Sequence, residues 1–316
     1  MIRQFDAKSV SLPPTIREAL DQGAGLLTPA GVDSPRLQSE WLLAHVLGMK
    51  RMQLYVESGR RLSDAEWREF GHLVERRRQR EPLQYILQSA EFCGLEIEVS
   101  RETLIPRPET ELLAECAWTW LRSAPGTPAA LDFGTGTGCL AVALAVHCPQ
   151  ARVYALDLSE AALGVARRNA MRHGVAKRIE FIHGAGLMAL PPELRVDLVV
   201  ANPPYIPTRE IEELQAEVHD FEPHLALDGG ADGLDFYRKL AVELGPFLAP
   251  THRAMFEFGD GQAPAVSEIL TQQNWLVETV QQDYNDKARF LIARRLEDEA
   301  DSPERLPTRA EHLLTP

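Results

Sequence analysis

Ala129-Ala130-Leu131-Asp132-Phe133-Gly134-Thr135-Gly136-Thr137-Gly138 opens as a short apolar strand and closes on three alternating glycines. A helical run, Ala141 to Val146, follows. Glycines at a strand-to-helix junction let a ligand approach the backbone, and the helix start offers unpaired N–H groups. The dinucleotide fingerprint G-x-G-x-x-G asks for glycine at 139, where this chain has Cys139. No Lys-Ser/Thr pair follows, so the loop is not the ATP-type phosphate cradle either. The G-x-G-x-G form suits a nucleoside ligand that lacks a pyrophosphate.

The pattern continues on both sides of that loop. Val153 to Leu156 reads as a second strand ending at Asp157, 19 residues after Gly138. A carboxylate there can accept both hydroxyls of a ribose. Ser159 begins a helix to about His173, Ile179 to Ile182 is strand-like, and Val196 to Ala201 is strongly apolar. Ala254 to Phe258 is a further strand, with a helix over 262–271. Val277 to Val280 and Phe290 to Ala293 read as a closing antiparallel pair. Strands and helices in alternation predict an α/β fold with buried parallel strands.

Upstream, residues 11–80 read as a small helical bundle. Pro13 and Pro14 stand near a first helix start. Ser34-Pro35 precedes a second helix with Leu37, Trp41, Ala44 and Leu47 at helical spacing. Ser63 with Glu66 three residues on is a capping box, and Trp67, Phe70 and Val74 give that helix an apolar stripe. Both Trp41 and Trp67 are expected in the core. Arg76, Arg77, Arg78 and Arg80 are expected on a solvated helix face. Phe92, Leu95, Ile97 and Val99 alternate around Gly94, which suggests a hairpin. In Leu104-Ile105-Pro106-Arg107-Pro108-Glu109-Thr110-Glu111, two prolines stiffen the backbone around Arg107. That stretch either fixes Arg107 and Glu109 in place or is a plain linker into a helix.

Composition narrows the classes further. With 316 residues, 45% of them apolar, the chain can bury a core without disulfides or metals. Cys93, Cys116, Cys139 and Cys148 form no close pair and match no zinc spacing, so no metal site is expected. The opening MIRQFDAKSV lacks a signal pattern and no run is long enough to span a membrane, which points to a cytoplasmic protein. A formal charge of −13 argues weakly against broad nucleic-acid binding.

The fourth strand runs into Asn202-Pro203-Pro204-Tyr205. Strand, G-x-G-x-G loop, ribose acid and NPPY, in that order, resemble the S-adenosylmethionine-dependent methyltransferases that modify a planar nitrogen. More narrowly, the chain resembles the release factor glutamine methyltransferases. The match rests on residues 104–111, Phe92-Cys93-Gly94-Leu95, and Phe221-Glu222-Pro223. It also rests on Ala226-Leu227-Asp228-Gly229-Gly230, Asp232-Gly233-Leu234, and Glu257-Phe258-Gly259 with Gln262. It covers roughly residues 15–295.

The resemblance implies a class I methyltransferase fold: a seven-stranded, mostly parallel sheet with helices on both faces, plus a small N-terminal helical domain. The expected divisions are 1–85 helical and substrate-recognising, 86–105 a hairpin linker, 106–296 catalytic, and 297–316 a flexible tail. The implied activity moves a methyl group from S-adenosylmethionine to the side-chain amide nitrogen (N5) of the Gly-Gly-Gln glutamine of peptide chain release factors.

An amide nitrogen is a poor nucleophile, its lone pair being delocalised, and it carries two N–H donors. By resemblance, the Asn202 side-chain oxygen and the Pro203 carbonyl accept those hydrogens and aim the nitrogen. Pro203 and Pro204 lack N–H groups, so their rigid loop presents acceptors. Tyr205 packs over the amide plane or walls the pocket. Asn202, Pro203 and Tyr205 are thus the implied catalytic residues, and Pro204, Arg107 and Glu109 complete the substrate set. Arg107 and Glu109 either meet the entering loop or brace NPPY. Asp132, Gly134, Thr135, Gly136, Thr137, Gly138, Asp157, Ala185, Gly186 and Asn202 form the implied cofactor set. Relatives often carry an acidic residue near the adenine. Here that stretch is Gly184-Ala185-Gly186-Leu187, so backbone groups at Ala185 or Gly186 would substitute.

Three rivals remain. A ribosomal-protein glutamine methyltransferase shares NPPY but differs at residues 106–111. An adenine-N6 nucleic-acid methyltransferase needs a basic groove. A non-catalytic adaptor has no need of Asn202 or Asp157. The expected partner is a release factor, with no membrane, no nucleic acid and a monomeric chain.

Overall fold

The structure is a computed structural model that describes residues 12–283 and 285–296. The expectations for the first residues and for the tail from 297 lie outside the described residues.

Five helices come first: α1 (Ile16–Leu27), α2 (Pro35–Leu47), α3 (Arg51–Val56), α4 (Asp64–Arg78) and α5 (Leu83–Leu87). The Ser63–Glu66 capping box starts α4 as expected. A second box starts α1, where Thr15 and Glu18 exchange side-chain and backbone bonds. Each such cap stabilises its helix by about 1 kcal/mol. The helices enclose their own core, built on Ile16, Leu20, Leu42, Leu43, Phe70 and Val74.

The expected inner face of α2 needs correction. Trp41 is 45% exposed and Leu37 39%, while Leu42 and Leu43 are fully buried. Of the expected stripe, Ala44 is buried and Leu47 packs against the core, while Leu37 and Trp41 turn outward, because apolar residues occupy both sides of α2. The Trp41 ring instead carries the Arg51 guanidinium 5.4 Å from its centroid. Trp67 is half-buried against the same core.

The arginine cluster is corrected too. Arg77 is 4% exposed. Arg77 and Arg80 both bind Glu217, at 2.7 and 2.5 Å, far along the chain. Arg76 pairs with Glu81 at 2.9 Å. Only Arg78 makes the local surface pair, with Glu75. The cluster joins the helical bundle to the rest of the molecule.

A hairpin follows, β1 (Ser89–Phe92) with β2 (Leu95–Glu98). Its two-residue turn puts Cys93 at φ 52° and Gly94 at φ 72°, the left-handed pair that matches strand twist. Helix α6 (Pro108–Ser123) begins with proline at its first position, where a missing N–H costs nothing.

The remaining elements are β3 (Ala129–Phe133), α7 (Cys139–His147), β4 (Arg152–Asp157), α8 (Glu160–Arg172), β5 (Ile179–His183) and β6 (Val196–Ala201). Then come α9 (Ala216–His219), α10 (Asp235–Glu243), β7 (Leu248–Glu257), α11 (Ala263–Gln272), β8 (Trp275–Gln282) and β9 (Ala288–Arg295). The sheet has seven strands in the order β5-β4-β3-β6-β7-β9-β8. The first five in that order are parallel, and β9 is antiparallel to both β7 and β8. Alternation divides the strands between two cores. Ala130, Val153, Leu198 and Val200 face one, and Leu131, Phe133, Val199 and Phe256 the other.

The chain runs outward from β3 to β5, then returns to place β6 on the other side of β3. Such a switch opens a crevice at the carboxyl ends of the strands. The G-x-G-x-G loop and NPPY both begin there. Among the described residues, no helix is long and apolar enough to cross a membrane. Nor, among them, do three or more His, Cys, Asp or Glu gather as a metal site would require. The four cysteines are free, Cys148 buried and the others half-buried.

Candidate active site

The crevice holds a cavity of about 320 Å³. Its walls come from the glycine loop, the end of β4, the turn after β5, NPPY with the segment beyond it, the stretch ahead of α6, and the start of α10. Gly134, Gly136, Asp157, Ala185, Gly186, Asn202 and Pro204 border it. The other expected cofactor residues sit behind that surface. Asp132 is fully buried and Thr135 and Thr137 nearly so. One Asp132 carboxylate oxygen accepts from the Thr135 hydroxyl at 2.6 Å and the Ala141 N–H at 3.1 Å. Asp132 thus ties the glycine loop to α7 from beneath. Burial pushes its carboxyl up to about 7, and its second oxygen has no partner. Gly138, at φ 77°, presses against Ala166 of α8.

Asp157 stands at the cavity wall. It accepts the Gly136 N–H on one oxygen and the Ser159 N–H on the other, each at 2.8 Å. Each oxygen keeps a free lone pair. The carboxylate therefore fixes the loop and still offers two acceptors.

Asn169 adds a brace that the sequence did not suggest. Fully buried on α8, it donates to the Thr137 carbonyl at 2.9 Å and the Glu98 carbonyl at 3.0 Å. Its oxygen accepts the Glu98 N–H at 2.7 Å. One side chain links hairpin, glycine loop and α8. An asparagine inside a helical run carries no signal that would have marked it.

Asn202 follows β6 at the cavity. Its Nδ2 donates to the Thr110 hydroxyl at 3.0 Å, which turns the side-chain oxygen away from α6. Thr110 is 2% exposed and lies inside the junction motif, between residues the sequence reading did single out. Pro203 is buried and, unlike Asn202 and Pro204, does not border the cavity. Tyr205 does not border the cavity. Its ring packs toward the second sheet core, burial pushes its hydroxyl up to about 12, and its carbonyl accepts from Gln262 Nε2 at 2.9 Å. The Gln262 oxygen takes the Gly259 N–H at 2.8 Å. Gln262 thereby locks the NPPY loop to the turn after β7.

Arg107 binds Glu222 at 2.6 Å; the Glu222 carboxylate is almost wholly buried, and that burial raises it above the usual range. Arg107 thus braces the segment after NPPY, and neither it nor Glu109 borders the cavity. The junction reaches the cavity through Glu102, Thr103 and Leu104 instead. Near the turn after β5, the Ala185 carbonyl accepts from Lys239 Nζ at 2.9 Å. Phe236, Leu158 and Leu225 supply apolar wall. Single apolar residues in a loop, a short turn and the first turn of α10 gave no advance notice of that role.

These features fit an adenosyl cofactor. A side chain at Gly134 or Gly136 would meet no protein atom within 4 Å, so their backbone faces open cavity. Asp157 supplies acceptors for a ribose, backbone at Ala185 and Gly186 lies where the base edge would come, and Phe236 and Leu158 offer apolar surface. The volume lies in the range of small-molecule sites.

Comparisons with known proteins agree. The family description "PrmC N-terminal domain" matches residues 18–87, and "Methyltransferase domain" matches 130–221. The chain is 45% identical over 280 residues to the release factor glutamine methyltransferase of Geobacter sulfurreducens, spanning 89% of this chain and 96% of that one. It is 38% identical over 283 residues to the enzyme of that name from Nitratidesulfovibrio vulgaris, spanning 89% and 95%. The catalytic domain of hMettl16 in complex with MAT2A 3'UTR hairpin 1 superposes with a TM-score of 0.51 at 17% identity, over 69% of this chain and 79% of that one. That likeness concerns the fold alone.

Proposed function

The chain belongs to the release factor glutamine methyltransferase family, and from that premise we propose that it methylates the side-chain amide nitrogen of the glutamine in the Gly-Gly-Gln loop of peptide chain release factors. S-adenosylmethionine, when bound, supplies an electrophilic methyl group on a sulfonium. The chain's own residues do the positioning. The observation that carries the reading is the Asn202 amide, held by Thr110 so that its oxygen is left for an entering donor. Asn202 Oδ1 and the Pro203 carbonyl accept the two amide hydrogens, hold the glutamine nitrogen, and stabilise the positive charge that develops on it. The amide sheds its proton after transfer, so no strong base is needed beforehand.

A protein substrate is favoured over a nucleic acid by the cavity's charge. Its wall carries the carboxylates of Glu102 and Asp157 and, among the described residues, no lysine or arginine. A phosphate backbone needs cations along its track. Of the cations nearby, Arg107 is held by Glu222 and Lys239 donates to the Ala185 carbonyl. The reading also implies work beside the ribosome, in the cytoplasm.

The test is incubation with labelled cofactor and release factors whose Gly-Gly-Gln glutamine is intact or replaced. Label should reach only the intact protein. Asn202→Ala should lower turnover by about 100-fold or more while cofactor binding persists. Labelling that survives glutamine replacement, or an unimpaired N202A enzyme, refutes the assignment.

A further inference from the structure

Glu257, at the end of β7, is left without a role by that mechanism. Its carboxylate is 2% exposed. The Thr110 hydroxyl lies against it and draws its carboxyl down, and its Oε2 is buried without a partner. The Thr110 oxygen in turn accepts from Asn202 Nδ2 at 3.0 Å. A hydroxyl has one proton to give. Once that proton is committed to a carboxylate, Thr110 can show Asn202 only lone pairs. Asn202 must then present its N–H on that side and its oxygen on the other.

We propose that Glu257 is a positioning residue for methyl transfer, acting through the Thr110 hydroxyl to fix which side of the Asn202 amide meets the substrate. The proposal rests on the reading of Asn202 as the acceptor for the substrate amide. Three elements supply the chain of contacts: β7 gives Glu257, α6 gives Thr110, and Asn202 follows β6. An asparagine amide is nearly symmetric in shape, so packing discriminates poorly between its two orientations. A hydrogen-bond network of fixed polarity does discriminate.

The polarity holds only while Glu257 is ionised. Burial, the largest influence, pushes its carboxyl up to about 7, opposed by the Thr110 hydroxyl. Glu109 on α6 raises it further, while Arg289 on β9 and Arg107 ahead of α6 lower it. Tyr205, beyond β6, also faces it. Tyr237 on α10 adds its hydroxyl, which donates to the Glu257 backbone carbonyl at 2.7 Å. A protonated Glu257 can donate to Thr110 instead. The Thr110 proton is then free to turn toward Asn202, and the two amide orientations become comparable. Activity should therefore fall as pH drops through this group's titration.

The experiment uses the full chain, labelled cofactor and a release factor, with kcat and KM followed from about pH 5.5 to 9. S-adenosylhomocysteine affinity is measured alongside by calorimetry. Thr110→Val should cut kcat by about 10- to 100-fold with KM and cofactor affinity within about 3-fold of wild type. Thr110→Ser, which keeps the hydroxyl, should restore kcat to within about 3-fold. The acidic limb of the wild-type kcat profile should disappear in Glu257→Gln, which cannot titrate. An unimpaired T110V enzyme, a T110S enzyme no better than T110V, or an unchanged limb in E257Q overturns the positioning role. So does loss of cofactor affinity in T110V, which marks a structural defect. Absence of release factor labelling by the wild type overturns the underlying function as well, and separates that failure from the others.

Discussion

Glu217 offers the sharpest test of how the helical bundle is joined to the sheet. Its carboxylate, 17% exposed, takes both Arg77 and Arg80. Arg77 is the more costly to strand, since its side chain is 5% exposed. Its other two bonds, to Gln38 and the Glu81 carbonyl, use different nitrogens, so nothing replaces Glu217. Removing one partner of a buried pair costs about 3–5 kcal/mol. Arg80, at 29% exposed, behaves more like a surface partner and adds at most about 1 kcal/mol. Glu217→Ala should therefore destabilise the protein by about 3–4 kcal/mol. Glu217→Gln keeps shape and one acceptor and should cost about half as much. Urea unfolding is the assay, read as a lower midpoint at constant slope. The pH dependence has a definite sign. Burial raises the Glu217 carboxyl, but the bonds from Arg80 and Arg77 outweigh it and hold the group below 4.5. A carboxylate depressed in the folded state stabilises above its unfolded value and loses that contribution as pH falls through the folded one. The gap between wild type and E217Q should thus be full above about pH 4.5 and narrow below it. An E217A protein within about 0.5 kcal/mol of wild type at pH 7 would refute the buried joint.

Two further substitutions test the cofactor end of the crevice. At Gly138, an added Cβ would lie 2.9 Å from the Ala166 Cβ on backbone at φ 77°. Gly138→Ala should cost about 2–5 kcal/mol in strain and overpacking; a double-mutant cycle with Ala166→Gly should recover about 1 kcal/mol, and a coupling of zero would remove the clash from the account. Asp157→Asn must turn an N–H toward either the Gly136 or the Ser159 N–H; S-adenosylhomocysteine should then bind about 10- to 100-fold more weakly by calorimetry, and an unchanged Kd would take Asp157 out of the cofactor site.

The sheet was legible because its strands are short apolar runs that stop at chemically informative residues. Asp157 and Asn202 each follow such a run, and the parallel register carries both to one edge of the crevice. What escaped notice depends on contacts between distant segments. Trp41 looks like core from its spacing, yet α2 turns Leu42 and Leu43 inward because α1 and α4 meet them there. The four arginines look like a surface stripe until Glu217, some 140 residues away, is folded against Arg77. Asn169 and Gln262 are single polar residues whose partners are backbone groups elsewhere. No local pattern encodes such partners. Thr110 is the intermediate case: its motif was readable, but its bond to Asn202 exists only once α6 has docked on the sheet.

These braces differ in which quantity they control. Arg101 stacks 5.0 Å over Phe221, Arg107 holds Glu222, and Arg77 with Arg80 holds Glu217. All three grip the segment after NPPY, and Pro223, Leu225 and Ala226 of that same segment border the cavity. Weakening any of them loosens a wall while leaving Asn202 and Thr110 in contact. Such changes should register as stability and as KM for the protein substrate, because a mobile wall must be ordered again at each binding event. Loss of the Thr110 hydroxyl leaves the walls intact and scrambles an acceptor that matters most as charge develops on nitrogen, so its effect belongs in kcat. A Glu217 variant that lowered kcat at saturating substrate, without raising KM, would show that the joint and the acceptor are one coupled unit rather than two.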